Sequence, residues 1–207
     1  MGILVKKDIQ RLLESERLVI TPLLDPKEQI GEAAVDLRLG NEFISMRRPN
    51  LGLLDATVDE RSLQKDIERY QERVRIAYHK PFVLHPRQFV LGASLEYLAL
   101  PNNMAAQVIG RSSWGRLGLI IATATAVAPS FKGCITLELV NHGEVPLVLY
   151  PGMRIAQLVL ETTSGKAHYD GRYECPTGPQ FSRIHRDRDM KGWGPAEAPN
   201  RNSKMPI

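Results

Sequence analysis

The first eighty residues mix helical and strand-like hydrophobic spacing. In "VKKDIQRLLESERL", Ile9, Leu12 and Leu13 share one helical face, which predicts a short amphipathic N-terminal helix. "LVITPLL" then reads as a strand stopped by Pro22. "AAVDLRLGNEFISM" alternates: Val35, Leu37 and Leu39 lie on one face, Asp36 and Arg38 on the other, and Gly40-Asn41 supplies a turn or bulge. Residues 62–76, "SLQKDIERYQERVRI", put Leu63, Ile67, Tyr70 and Val74 on one stripe. That predicts a second helix over 62–76, capped by Ser62, with a charged, solvated outer face.

From Phe82 the texture changes. Short apolar or alternating runs ("FVLHP", "QFVLGASLEYLALPNNM", "AAQVIG", "LGLIIATATAVAP", "GCITLELVNHG", "VPLVLYPGM", "RIAQLVLE") are separated by Pro, Gly and Asn. Many short strands with regular turn signals predict an all-β sandwich or barrel. After Glu161 the periodicity fades into a segment rich in Gly, Pro, Arg and Asp. The expected organisation is a β-domain over 1–165 and a C-terminal tail over 166–207, ordered in part by docking.

Composition narrows the function classes. The 207 residues are 43% hydrophobic, enough for a core, and the net charge is +4. With 27 basic residues offset by 23 acidic ones, a nucleic-acid partner is not expected, whereas a small polyanionic ligand is compatible. Two cysteines, Cys134 and Cys175, and five scattered histidines offer neither a zinc motif nor a disulfide framework. No apolar run approaches the roughly 18 residues of a membrane span, and "MGILVKKDIQ" is no signal peptide. A soluble cytoplasmic protein without a membrane partner is expected.

Two stretches carry chemistry. "GRSSWGRLG", residues 110–118, combines glycines, hydroxyls and two arginines. Glycine lets the backbone approach an anion, serines add donors, and Arg111 can make forked contacts to phosphate. The stretch suits an oligophosphate, although it is not a Walker loop; a tight turn with surface ion pairs fits equally. In "GCITLELVN", Ile135, Leu137 and Leu139 face a core while Thr136, Glu138 and Val140 face the other way. Glu138 is a solvated carboxylate if that face is open. In a cleft, partly apolar surroundings would raise its pKa and suit it to moving protons.

Taken together, "GRSSWGRLGL", "PSFKGCITLELVN" and "PLVLYPGMRIAQLVLE", with "DIQRLLESERLVITP" and "VDLRLGNEF" before them, resemble the dCTP deaminase branch of the trimeric dUTPase-like superfamily. The resemblance implies a distorted jelly-roll β-barrel, homotrimeric, with active sites between subunits. It implies hydrolysis of dCTP to dUTP and ammonia without zinc, consistent with the absence of the H-x-E and P-C-x-x-C signature of zinc deaminases. Glu138 matches the catalytic position. Ser112 and Arg116 match residues that hold the nucleophile and stabilise developing charge. The backbone of 122–126 would offer a carbonyl to the water. Arg111, Ser112 and Ser113 match phosphate-binding positions; Thr136 and Gln157 match contacts to base or sugar. "HYDGRYECPTGP" resembles a segment that closes over the triphosphate, with Tyr169, Arg172 (usually lysine) and Tyr173. Magnesium would accompany the triphosphate.

Three departures stand out. The family pattern T-A-G-x-I-D-P-G-F is here "TATAVAPSF", with Ala128 replacing an aspartate. The resemblance ties that aspartate to the sugar hydroxyl and to diphosphohydrolase activity, so its loss argues against a dUTP diphosphatase. Ala122 stands near a position often occupied by histidine, and Pro176 replaces a tail glutamine. A deaminase is the leading expectation; a non-catalytic deoxynucleotide-binding protein of the same fold is the alternative.

Overall fold

The computed structural model describes residues 2–47, 52–122 and 126–187. Its elements follow in the order α1 (Lys6–Glu14), β1 (Val19–Thr21), α2 (Pro26–Gln29), β2 (Val35–Arg38), β3 (Glu42–Met46), α3 (Glu60–Tyr70), β4 (Gln71–Arg75), β5 (Phe82–Leu84), β6 (Phe89–Ala99) and β7 (Met104–Gly110). Then come α4 (Ser112–Gly115), β8 (Leu119–Ile121), β9 (Ala126–Val127), β10 (Lys132–Asn141), β11 (Leu147–Leu149) and β12 (Arg154–Thr162). A 3₁₀ turn, Ile184–Arg186, ends the described chain.

The larger of two compact units comprises 1–47 and 71–180. It is antiparallel throughout: one sheet runs β4-β3-β6-β10-β8 with β1 also on β6, a second runs β2-β12-β7-β9, and β11 pairs with β5. This is the mainly β architecture expected from the strand pattern. Alternation explains the core. Leu37, Leu39, Phe43, Leu137, Leu139 and Leu158 are wholly buried, each stabilising by about 1.5–3 kcal/mol relative to exposure. Phe43 stacks on Phe82 with ring centroids 4.4 Å apart. Gly92 faces Leu39 and Leu139, whose methyl groups would lie 3.1 and 3.3 Å from an added Cβ.

The face opposite that core is not wholly solvent. Glu96 on β6 is completely buried. Its carboxylate accepts hydrogen bonds from Gln29 Nε2 at 2.9 Å and from the Arg38 backbone N–H at 2.9 Å. Burial raises its pKa, and those hydrogen bonds oppose the rise.

The second unit comprises 48–70 and 181–207. Here the structure corrects the sequence reading. The helix spans Glu60–Tyr70 rather than 62–76. Its cap is Asp59, whose Oδ1 accepts the Ser62 backbone N–H at 3.1 Å; Ser62 lies inside the first turn. Leu63 and Ile67 form the buried stripe as expected. Val74 belongs instead to β4 of the larger unit, paired with Phe43. Tyr70 and Val74 are four apart, a spacing that periods of 3.6 and 2 share. Cross-strand charge decides for the strand: Arg73 Nη1 donates to Glu42 at 2.9 Å, and Arg47 pairs with Glu72. Residues 166–180 group with the larger unit.

Candidate active site

The Ser-Ser turn is built at the end of β7. Arg111 is extended, and its carbonyl accepts the N–H groups of Trp114 and Gly115 at 3.0 and 3.1 Å. Gly118 closes the turn at φ +94, where an added Cβ would lie 2.5 Å from Gly143 N. Only glycine satisfies both constraints. Trp114 packs against the core and donates through Nε1 to the Arg154 carbonyl at 3.0 Å. With Trp114 anchored beneath, Ser112, Ser113 and Arg116 are exposed.

Arg111 is turned towards β2 and β12. Its Nε lies 3.4 Å from Asp36 Oδ2, and Nη1 donates to the Arg154 carbonyl at 3.2 Å. Gln157, opposite Asp36 in the β2–β12 register, donates to Asp36 Oδ1 at 2.9 Å. Arg154 Nη1 lies 3.3 Å from Asp36 Oδ2. Two residues expected to hold nucleotide, Arg111 and Gln157, thus meet on one carboxylate that the sequence analysis did not select. Its partners lie far along the chain, so no local signal marked it.

On β10, Thr136 and Glu138 share a half-buried face, backed by the buried Leu137 and Leu139. Burial raises the Glu138 carboxyl above the ordinary carboxylate range. Its backbone carbonyl accepts the Ala122 N–H at 2.9 Å, fixing the segment that leaves β8 against the catalytic candidate. Residues 123–125, part of the stretch expected to hold water through a carbonyl, lie outside the described residues.

The tail supplies a third group. Tyr169 meets Phe131 edge-on at 5.4 Å, and its hydroxyl oxygen accepts the Tyr173 N–H at 3.4 Å. Arg172 is exposed between them. Further on, Pro176 is buried and its carbonyl accepts the Cys134 N–H at 2.7 Å. Gln180 N donates to Thr136 Oγ1 at 3.3 Å, so the chain crosses the Thr136 end of the Glu138 face. Among the described residues no hydrogen bond or ion pair joins Arg116 to Glu138. The single chain therefore holds three prepared clusters: the turn with Asp36, the β10 face, and the tail. Among the described residues no group of three or more His, Cys, Asp or Glu is placed to hold a metal ion.

The chain is similar to known proteins. A family model described as dCTP deaminase-like matches residues 3–163. The chain is 39% identical over 205 residues to "dCTP deaminase, dUMP-forming" of Methanosphaera stadtmanae, covering 94% of this chain and all of that protein. It is 40% identical over 197 residues to a dCTP deaminase of Natronomonas pharaonis, covering 92% of this chain and 98% of that one. The crystal structure of the 2'-deoxycytidine 5'-triphosphate deaminase of Agrobacterium tumefaciens superposes with a TM-score of 0.59 at 24% identity. That match takes in 77% of this chain but 46% of that longer one, and speaks for the fold. With the Ser-Ser turn, the β10 carboxylate and the β-fold all in place, the chain belongs to the dCTP deaminase-like family.

Proposed function

We propose that the protein hydrolyses dCTP to dUTP and ammonia. The observation that carries this is Glu138: a half-buried carboxylate whose pKa is raised by desolvation, held on a rigid strand with Thr136 beside it. A raised pKa brings the group nearer to neutrality, where one carboxylate can both accept and return a proton.

Glu138 accepts a proton from water as the water oxygen bonds to C4 of cytosine, and passes that proton to N3. Glu138 then takes the proton of the new C4 hydroxyl and delivers it to the exocyclic nitrogen. The C4–N4 bond breaks, ammonia leaves, and the C4 oxygen becomes the uracil carbonyl, with Glu138 ionised again. Ser112 and Arg116 donate to the water and to the charge that develops as it adds. Arg111 and Ser113 hold the phosphates; Thr136 and Gln157 hold the nucleoside; Tyr169, Arg172 and Tyr173 close over it.

The clusters are completed across the subunits of a homotrimer, in which the turn of one subunit meets the β10 face of its neighbour. Magnesium enters with the triphosphate, whose oxygens suit a hard cation. No described helix is long and apolar enough to cross a membrane. Relatives include both simple and dUMP-forming deaminases. Ala128 places a methyl group where the resemblance expects a diphosphohydrolase carboxylate, so dUTP is the product. Pro176 docks the tail through its carbonyl without the missing amide.

The test is incubation of the protein with dCTP and magnesium, followed by chromatography and ammonia assay. Equimolar dUTP and ammonia are expected. Nucleotide-dependent stabilisation without ammonia would replace the proposal with a binding function, and pyrophosphate release would overturn the assignment of product.

A further inference from the structure

We propose that Asp36 is a positioning residue that sets the polarity of the nucleotide site by orienting Arg111 and Gln157 together. The inference rests on the deaminase reading in so far as those two residues touch the nucleotide.

Asp36 has only 9% of its side chain exposed. A carboxylate buried to that degree is costly unless it is paired and hydrogen-bonded. Here Oδ2 faces Arg111 Nε at 3.4 Å and Arg154 Nη1 at 3.3 Å, and Oδ1 accepts from Gln157 Nε2 at 2.9 Å. Arg154 is held independently by α2, donating to the Glu28 carbonyl at 2.6 Å. Its own backbone carbonyl takes Arg111 Nη1 and Trp114 Nε1. Asp36 lies between two guanidiniums, while Arg154 Nη2 also faces the exposed Glu28 carboxylate at 3.5 Å, so Arg111 is the guanidinium with the smaller share of acidic partners.

Two consequences follow from the donor and acceptor inventory. A guanidinium is planar with its N–H groups in fixed directions. Asp36 takes the Nε side and the Arg154 carbonyl takes Nη1, which fixes the plane of Arg111 and leaves its Nη2 group for an incoming phosphate. An ionised carboxylate only accepts. Gln157 must therefore turn its NH₂ towards Asp36, so its Oε1 is the free end. The site then offers a donor edge to the phosphates and an acceptor to a donor group of the nucleoside, either a sugar hydroxyl or the exocyclic amine. The same geometry explains why Arg111 can be both ion-paired and available.

The experiment compares Asp36→Asn, Arg111→Ala and the double variant of the full chain. Steady-state deamination of dCTP with magnesium is read beside ligand-free melting temperature. Asp36→Asn is expected to raise KM by about 10- to 100-fold, the worth of a charge-assisted hydrogen bond or two. Its kcat should stay within about threefold, since Asp36 touches no reacting atom. The double variant should be worse than Arg111→Ala alone, but by less than the full Asp36→Asn penalty, the remainder being the share that acts through Gln157. An unchanged KM, or penalties that multiply, overturns the proposal. Should Asp36→Asn fail to fold, Arg111→Lys keeps the charge but cannot be held at Nε; full dCTP affinity in that variant overturns the proposal equally. If the wild type releases no ammonia, the deaminase reading fails separately, and stabilisation by dCTP becomes the readout. Loss of that stabilisation in Asp36→Asn and Arg111→Lys supports the positioning role, and its retention overturns it. A wild type that neither deaminates nor binds dCTP overturns both.

Discussion

Pro176 closes the tail onto Gly133: the proline carbonyl accepts the Cys134 N–H at 2.7 Å, and its ring lies where a Cβ on residue 133 would be. Gly133 has φ +141, a conformation that L side chains rarely adopt. Gly133→Ala therefore faces both backbone strain and a clash with the proline ring. It should destabilise the tail contact by about 1–3 kcal/mol. Limited proteolysis checks this: cleavage within 166–180 should accelerate markedly over wild type. Unchanged cleavage would mean that the contact does not hold the tail.

Strand content was legible because it is written locally. In "CITLELVN" each side chain's face follows from its parity, so the burial of Leu137 and Leu139 behind Glu138 could be read directly. The Gly133–Pro176 contact could not, since neither residue belongs to a periodic pattern. Asp36 was legible as a strand residue but not as a site residue: its partners Arg154 and Gln157 lie 118 and 121 residues away. The end of α3 was misread because Tyr70 and Val74 fit two periods at once.

Asp59 rather than Ser62 should govern the start of α3. The Asp59 carboxylate accepts the Ser62 N–H, and hydrogen bonds from Ser62 hold its pKa below the ordinary value. A lowered pKa contributes stability above the unfolded value that is lost as pH falls through the folded one. Asp59→Ala should speed amide exchange over 60–63 at neutral pH, while Ser62→Ala, which removes the hydroxyl's share but leaves the Ser62 N–H capped, should have the smaller effect. The opposite order of effects would reinstate Ser62 as the cap.

Glu96 should make stability fall with rising pH. Burial raises its folded pKa, so its contribution is fully present below the unfolded value of about 4.3 and is lost as pH rises through the folded value. Glu96→Gln removes that titration. It also turns an NH₂ towards one of two donors, Gln29 Nε2 or the Arg38 N–H, which lowers stability at acid pH. The melting temperature of the variant minus that of wild type should therefore climb across the window between the two pKa values. A flat difference would mean that Glu96 does not titrate there.

Glu138 combines both kinds of pH dependence, and their signs differ. As the base that accepts a proton from water it must be ionised, so kcat/KM should rise with pH through its pKa in the free enzyme. Because burial raises that pKa, the rise should fall above the ordinary carboxylate range. Stability moves the other way: the raised pKa favours the protonated form, so wild type loses this contribution as pH climbs through the same value. Glu138→Gln should remove both. Deamination should drop by at least about 10²- to 10⁴-fold, with the acid limb of the remaining rate flattened. Melting temperature at pH 8 should equal or exceed that of wild type, because a neutral amide escapes the desolvation cost of the carboxylate. Rate and melting profiles over pH 4–9 decide the matter. A variant that loses activity by unfolding would place Glu138 in the scaffold, and one that keeps wild-type turnover would remove it from the chemistry.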